Sequence, residues 1–313
     1  MMLAAYDDRV RNPAKSQLHE SNRIRIFQGD ITDPASLRRA MQGCGTAFHL
    51  AAWYELGIPR SEIPRMEAIN IEGTRNVLTL ARELAISRTV YVSTTYALGQ
   101  TGDQVADETF EHCGRFTCEY ERTKLEAHRI AQHFAQQQLP LVTVLPCAVY
   151  GEGDPSLIGE TFTKLARGTF PALIAGVEQS ILTYVHVDDV VQGILLAAEK
   201  GRLGETYILA GEVMSFGDMI DCVTQIAGSK RPRLTVPLWI ARAMAFADER
   251  GSRLLGRRPL ISQESLNSLL CSFAVSSAKA RSELGFRARP NREGFAQTLS
   301  WIQETVDASR RQD

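Results

Sequence analysis

The chain has 313 residues, of which 44% are hydrophobic and 23% are charged, and its formal net charge is −1. This length suits one large domain or two unequal ones with a substantial core. The balanced charge argues against a general attraction to nucleic acid or membranes, and no apolar run approaches the about 18 residues of a membrane span. We therefore predict a cytoplasmic protein with no nucleic-acid and no membrane partner.

Short runs of β-branched and aromatic residues alternate with longer segments of helical periodicity. The predicted strands are Arg23–Phe27, Thr46–Ala51, Thr89–Ser93, Leu141–Leu145, Leu182–Val187 and Thr206–Leu209. Asp33 followed by Pro34 predicts the N-cap and first residue of a helix, which Gly43 ends. The alternation predicts an α/β fold, a doubly wound parallel sheet of the Rossmann type.

The alternation weakens after about Gly153, where helical and irregular segments follow. The predicted division is a nucleotide-binding domain of residues 1–153 plus 181–211 and a smaller C-terminal substrate region of residues 154–180 plus 212–313. The six cysteines have no zinc-like spacing, and His128 and His133 would point to different faces of one helix. We predict reduced thiols and no metal site.

Tyr120 and Lys124 are four residues apart in a helical segment, so their side chains share one face. A free tyrosine has a pKa of about 10, so catalysis near pH 7 needs a shift of about 3 units, which a neighbouring ammonium supplies in part. Such a pair is common on surface helices, and an incidental pair is the alternative. Ser93 and Thr94 favour catalysis, because they end a predicted strand at the edge where such sheets bind ligands.

Two other strand ends carry candidate ligand contacts. Asp30 could accept a hydrogen bond from an adenine amino group, although a simple turn residue is an equal alternative. His49-Leu50-Ala51-Ala52 ends in small residues, which let a flat ligand approach the backbone. We interpret His49 itself as a core histidine.

Seven segments occur in the order typical of the extended short-chain dehydrogenase/reductase family. They are Gly29–Asp33 (GDITD), His49–Ala52 (HLAA), Asn70–Thr74 (NIEGT), Tyr91–Thr94 (YVST), Tyr120–Lys124 (YERTK), Pro146–Gly151 (PCAVYG) and Tyr184–Asp189 (YVHVDD). The chain resembles this family, which includes NAD-dependent epimerases and dehydratases, over about residues 10–305. Within it, the chain is most similar to the dihydroflavonol-reductase-like branch, which includes bacterial hopanoid-associated sugar epimerases.

The resemblance implies a role for each matching residue. Tyr120 would be the general acid/base, Lys124 would lower its pKa and hold the nicotinamide ribose, and Thr94 would polarise the substrate oxygen. The residues implied to contact NADP or NAD are Arg11, Asp30, Ile31, Leu50, Ala51, Ala52, Ser93, Tyr120, Lys124, Pro146 and Val149. Arg11 matches a position where an arginine can face a 2′-phosphate, which slightly favours NADP, although a solvated arginine is the alternative.

The resemblance also separates reaction types for the small-molecule substrate. Thr95-Tyr96 stands where sugar dehydratases carry an acidic pair, and Leu145-Pro146-Cys147 lacks the Arg and Asn of many sugar epimerases. We therefore predict reduction of a carbonyl or oxidation of a secondary alcohol. The alternatives are a nucleotide-sugar epimerase with retained NAD and a truncated, non-catalytic pseudo-enzyme. The resemblance further implies a homodimer through helices near residues 65–84 and 118–138.

One family feature is absent from the sequence. There is no G-x-G-x-x-G or G-x-x-G-x-x-G, the glycine loop that holds a pyrophosphate after the first strand. Met1–Val10 resembles the end of the first helix running into the second strand. We therefore expect the first strand and glycine loop to be missing, with a longer natural chain as the favoured explanation and a decayed enzyme as the alternative.

Overall fold

The computed structural model describes residues 25–255 and 257–310. The strands are β1 (Thr46–His49), β2 (Arg88–Val92), β3 (Leu141–Pro146), β4 (Ala148–Tyr150), β5 (Leu173–Ile174), β6 (Ile181–His186), β7 (Thr206–Leu209), β8 (Val213–Ser215) and β9 (Thr235–Val236). The helices are α1 (Pro34–Met41), α2 (Ile63–Glu67), α3 (Gly73–Glu83), α4 (Glu119–Gln136), α5 (Leu157–Ala166), α6 (Val187–Lys200), α7 (Phe216–Ala227), α8 (Leu238–Leu255), α9 (Gln263–Leu269), α10 (Ala278–Leu284) and α11 (Asn291–Arg310).

The main sheet is parallel, with the strand order β1-β2-β3-β7. Every residue of β3 is buried, because α3 and α4 cover one face of the sheet and α6 and α10 cover the other. Alternate residues of the strands contribute to two hydrophobic cores, one on each face of the main sheet. Val90 and Val142 face α6, whereas Tyr91 and Leu141 face α4. The prediction of a doubly wound α/β fold is confirmed, and the carboxyl ends of the strands meet at one edge.

Smaller sheets extend this edge. Strand β6 pairs with β4 in parallel and with β8 in antiparallel, and β5 pairs with β9. Strands β4, β5, β8 and β9 were not predicted, because runs of two or three residues are too short to show the alternation of a β-strand. Strand β6 ends at His186, one residue before the predicted end at Val187, which is instead the first residue of α6. The N-cap of α6 is His186, whose side chain accepts from the Asp188 N–H.

The predicted strand Arg23–Phe27 is wrong for the residues that can be assessed. Arg25–Phe27 belongs to no strand, and Ile26 and Phe27 are exposed to solvent. Exposed apolar side chains gain nothing from pairing, so the segment lacks the burial that stabilises a ladder. By contrast, helix α1 begins as predicted, with the Asp33 carboxylate accepting from the Ala35 N–H and Pro34 in the first position. In the part of the chain described here, no helix is both long and apolar enough to cross a bilayer.

Candidate active site

Helix α4 places Tyr120 and Lys124 at the edge of the main sheet. Cys118 caps the helix, its thiol accepting from the Glu121 N–H at 3.4 Å. Tyr120 falls in the first turn and Lys124 one turn later, where they are only 7% and 2% exposed. Both polar groups are therefore held inside the protein by the same helix.

Thr94 lies at the carboxyl end of β2, opposite the start of α4. It begins a short 3₁₀ helix, Thr95–Leu98, and its hydroxyl accepts from the Tyr96 N–H at 3.3 Å. The same side chain lies close enough to the phenol of Tyr120 to act against the rise in its pKa. The structure thus brings Thr94 and Tyr120 together, while the neighbouring Ser93 hydroxyl is buried without a partner among the described residues.

Lys124 approaches the sheet at a different point. Its ammonium lies 3.4 Å from both the Tyr91 hydroxyl and the Val92 carbonyl oxygen, and 5.2 Å from the centre of the Tyr91 ring. Both hydrogen bonds are long, so the ammonium keeps donor capacity for a further acceptor. Lys124 therefore lies beneath the strand end that carries Ser93 and Thr94.

The expected lowering of the Tyr120 pKa is wrong for this structure. Burial raises the pKa of Tyr120 far above its ordinary value, and the nearby Thr94 side chain only partly opposes that effect. The rings of Tyr54 and Tyr96 pack against it edge-on, with centroids 4.8 and 5.6 Å away, and so exclude water. Burial therefore holds the phenol in its protonated form, while the Lys124 ammonium is directed at Tyr91 and Val92.

Two buried histidines surround Lys124. Burial and the charge of Lys124 lower the pKa of His49 to about 3 and that of His128 to about 4, so both rings are neutral. The Thr74 hydroxyl donates to the Asn70 carbonyl, so His49 Nε2, 3.0 Å from that hydroxyl, must be the donor in their contact. His49 is 1% exposed, which confirms it as a core histidine.

A buried carboxylate holds the segment that leads into α4. Glu121 is fully buried and accepts from both the N–H and the hydroxyl of Thr117 at 2.6 Å. It also meets His112 Nε2 at 2.9 Å, and His112 Nδ1 accepts from the Gly114 N–H, which fixes the proton on Nε2. These bonds set the position of the first turn of α4, and hence of Tyr120.

Tyr120 and Thr94 form part of the wall of a cavity of about 680 Å³. Its apolar and aromatic lining includes Leu56, Tyr96, Pro146, Val149, Tyr150, Leu157, Ile158, Phe170, Leu173, Ile174, Leu182, Tyr184, Phe216, Met219 and Phe273. Four acidic residues, Glu152, Asp154, Glu160 and Glu178, also line it. Lys164 is the one cationic side chain in the lining found for the described residues, and it pairs with Glu160 at 2.7 Å.

The other predicted contacts lie away from this cavity. The Asp30 carboxylate accepts from the N–H and hydroxyl of Thr32, so in this structure Asp30 is a turn residue, the alternative given above. The Ile31 side chain is buried beneath Gly73. Leu50 and Ala52 are exposed after β1, with Ala51 half-buried between them. Arg11 lies outside the described residues.

Some residues of the cavity wall were not predicted from the sequence. Tyr96 donates to or accepts from Ser268 at 2.7 Å and packs on Phe273, which ties the cavity to the C-terminal half. These contacts join residues that are more than a hundred positions apart in the sequence, so no local sequence pattern could predict them. The position of Tyr91 could have been anticipated, because strand alternation puts it on the same face as Ser93.

One cluster resembles a metal site in composition. Glu152, His186 and Asp188 offer ligand atoms within 4.8 Å of one another in the described part of the chain. The Arg289 guanidinium lies 3.5 Å from an Asp188 oxygen and within 3.0 Å of Asp189. This cation already supplies the positive charge that the carboxylates require, so we assign no metal.

Comparison with known proteins identifies the family of the chain. The sequence pattern of the NAD dependent epimerase/dehydratase family matches residues 4–210. A dihydroflavonol 4-reductase-like protein of Synechocystis sp. is 32% identical, over 88% of this chain and 80% of its own. Sterol demethylase protein B of Methylococcus capsulatus is 30% identical, over 88% and 84%. The crystal structure of gox2253 is 32% identical with a TM-score of 0.75, over 93% and 88%.

Proposed function

Because this chain belongs to the NAD dependent epimerase/dehydratase family, we propose that it is an NAD(P)-dependent oxidoreductase. It interconverts a ketone or aldehyde and the corresponding alcohol of a small, largely apolar molecule. The observation that carries the proposal is that Thr94 and Tyr120 lie close together at the wall of an apolar cavity. A substrate oxygen placed between these hydroxyls would meet two donors at once.

Each side chain has a defined task in the reduction. Thr94 donates to the carbonyl oxygen and fixes its direction, since that oxygen can only accept and the bond from the Tyr96 N–H orients the hydroxyl. Tyr120 is the general acid, because burial keeps its phenol protonated and ready to donate as charge develops on that oxygen. Lys124 is the nearby fixed cation that limits the cost of the resulting phenolate.

The residues at the strand ends fit a dinucleotide. The buried Ser93 hydroxyl lacks a partner among the described residues, and Lys124 has unused donor capacity, so both can bind ribose or amide groups. Pro146 and Val149 line the cavity, and Leu50, Ala51 and Ala52 follow the carboxyl end of β1. Contacts of Asp30 and Ile31 with the cofactor are part of the same proposal. When bound, the nicotinamide supplies or accepts the hydride. We propose NADP over NAD on the position of Arg11 in the sequence.

The charges of the cavity argue for an unphosphorylated substrate. Four carboxylates face one lysine, and that lysine is already paired. The described residues of the cavity offer a diphosphate no unpaired cation, and an unpaired buried charge costs several kcal/mol. A reductase or dehydrogenase acting on an apolar molecule is therefore favoured over a nucleotide-sugar epimerase. The names of the dihydroflavonol and sterol relatives agree with this class.

Cofactor oxidation by a panel of carbonyl compounds tests the proposal. We expect NADPH absorbance to fall with apolar cyclic ketones and aldehydes, at rates at least about tenfold above those with UDP-sugar-derived ketones. UDP-glucose incubated with NAD serves as the control for epimerisation, with C4 inversion followed by NMR. Inversion without net cofactor change would establish the epimerase instead, and a lack of saturable NADPH fluorescence would establish the pseudo-enzyme.

A homodimer through helices near residues 65–84 and 118–138 is a separate proposal. Among the described residues, none of the large apolar side chains that remain exposed lies in those two segments. Such a dimer would therefore depend on polar contacts and would weaken with salt. Light scattering at micromolar concentration should give twice the mass of one chain, and a monomeric mass contradicts the proposal.

A further inference from the structure

Helix α8 turns an apolar side to solvent. Its buried side is narrow and consists of small residues such as Ala241 and Ala245. At 3.6 residues per turn, Trp239, Phe246 and Leu254 lie within about 80° of one another on the opposite side. These three side chains are 72%, 52% and 89% exposed, an unusual amount of apolar surface for one helix.

The same region concentrates positive charge. Residues 229–260 contain eight Lys or Arg and two acidic residues, a net charge of +6 in a chain whose total is −1. Lys230, Arg233, Arg242 and Arg250 are exposed, and none of them forms an ion pair within the described residues. The surface that we call the α8 face is formed by Arg242 and Arg250 with Trp239, Phe246 and Leu254 on α8, and it is therefore both apolar and basic.

The mixture of cationic and apolar groups on the α8 face indicates which class of partner could bind there. The Arg250 guanidinium lies 4.5 Å from the centre of the Phe246 ring, so cation and apolar group are interleaved. A second copy of this chain would bury these cations opposite identical cations, without partners. A bilayer surface accepts both kinds of group, because apolar side chains enter the acyl boundary while cations meet the phosphate headgroups.

The α8 face is connected to the cavity that contains Tyr120. Strand β9, directly before α8, pairs with β5, whose residues Leu173 and Ile174 line the cavity. Ile174 also packs against Ala241, Ala245 and Leu266, the small core beneath α8. Whatever binds the α8 face therefore lies one strand pair away from the substrate cavity.

We propose that the α8 face binds an anionic lipid surface, with the helix lying in the plane of the interface. The proposal does not rest on the catalytic activity, since it concerns only exposed residues outside the Thr94–Tyr120 site. Its consequence for that site is access to apolar substrates dissolved in the bilayer. The helix carries too much charge to enter the acyl region itself, in agreement with the lack of a spanning helix among the described residues.

Sedimentation of the whole chain with lipid vesicles tests the proposal. We expect binding to vesicles of equal parts phosphatidylglycerol and phosphatidylcholine, and at least about tenfold weaker binding to pure phosphatidylcholine or at high salt. The double variant Trp239→Ser/Phe246→Ser should lose binding by at least about tenfold. The variant Arg242→Gln/Arg250→Gln should lose the preference for phosphatidylglycerol.

The matched control is Val191→Ser/Leu195→Ser, which removes two exposed apolar side chains from α6 and should leave vesicle binding unchanged. Circular dichroism and thermal melting confirm that each variant is folded. An unbound wild-type protein, or a Trp239→Ser/Phe246→Ser variant that binds like the wild type, overturns the proposal. A concentration-dependent dimer that this variant abolishes would overturn it as well, by identifying a second copy as the occupant.

Discussion

Replacing Tyr120 with Phe lowers kcat for carbonyl reduction about 10³-fold, or about 4 kcal/mol of transition-state stabilisation. Phe keeps the ring that packs between Tyr54 and Tyr96, so the helix and the cavity keep their shape. Only the proton donor and its contact with Thr94 are lost. KM changes much less than kcat, because the apolar walls that bind the substrate remain. Initial rates of NADPH oxidation over a range of substrate concentrations give both constants.

Tyr96→Phe is the matched control for this experiment. Its ring lies beside Tyr120 and it too loses a single hydroxyl, one that meets Ser268 and not Thr94. We expect a change of less than about tenfold in kcat from this variant. If Tyr120→Phe and Tyr96→Phe have similar rates and similar melting temperatures, Tyr120 is a packing residue and the catalytic assignment is incorrect.

The raised pKa of Tyr120 adds a dependence on pH to the same assay. A phenol that is protonated far above pH 7 donates equally well from about pH 6 to about pH 9, so the reduction rate stays level across this range. The reverse reaction needs the phenolate and should gain rate toward alkaline pH. An alkaline loss of reduction rate centred near pH 7 would show that the bound cofactor lowers this pKa.

The sequence predicted the parts of the site that depend on local geometry. Helical spacing places Tyr120 and Lys124 on one face, and the common strand edge places Thr94 near them. The pKa of Tyr120 could not be predicted in this way, since it is set by burial beneath the rings of Tyr54 and Tyr96, which come from two other segments and exclude water. The direction of the Lys124 ammonium depends likewise on Tyr91, whose contact with α4 forms only in the folded protein.

The composition of the whole chain gives no indication of the α8 face. The net charge of −1 averages a segment of +6 with an acidic remainder, and the hydropathy average hides which apolar residues stay exposed. The prediction of no membrane partner rested on the net charge and on the lack of an apolar run long enough to span a membrane. A window over residues 229–260 shows the charge from sequence alone, but the exposure of Trp239 and Phe246 depends on which side of α8 packs against Leu266.

The protein should lose stability steeply between about pH 6.5 and pH 4.5, because His49 and His128 are buried in their neutral forms. Their pKa values of about 3 and about 4 lie below the ordinary value of 6.5, so the unfolded chain binds more protons than the folded one in this range. Each histidine then removes up to about 1.4 kcal/mol from the free energy of unfolding per pH unit. Over about two units the pair accounts for roughly 5 kcal/mol, which is comparable with the whole stability of many domains.

Urea unfolding at a series of pH values measures this loss. The double variant His49→Gln/His128→Gln should start less stable at pH 7.5 yet lose much less free energy on acidification, because glutamine does not titrate. His133→Gln is the control, since His133 lies on the exposed side of the same helix. Acidic side chains that titrate below about pH 5 are shared by all three proteins, so the difference in slope belongs to the buried histidines. If the free energy of unfolding of the double variant and of the wild type had the same slope against pH, His49 and His128 would become protonated in the folded protein. Water would then reach the surroundings of Lys124.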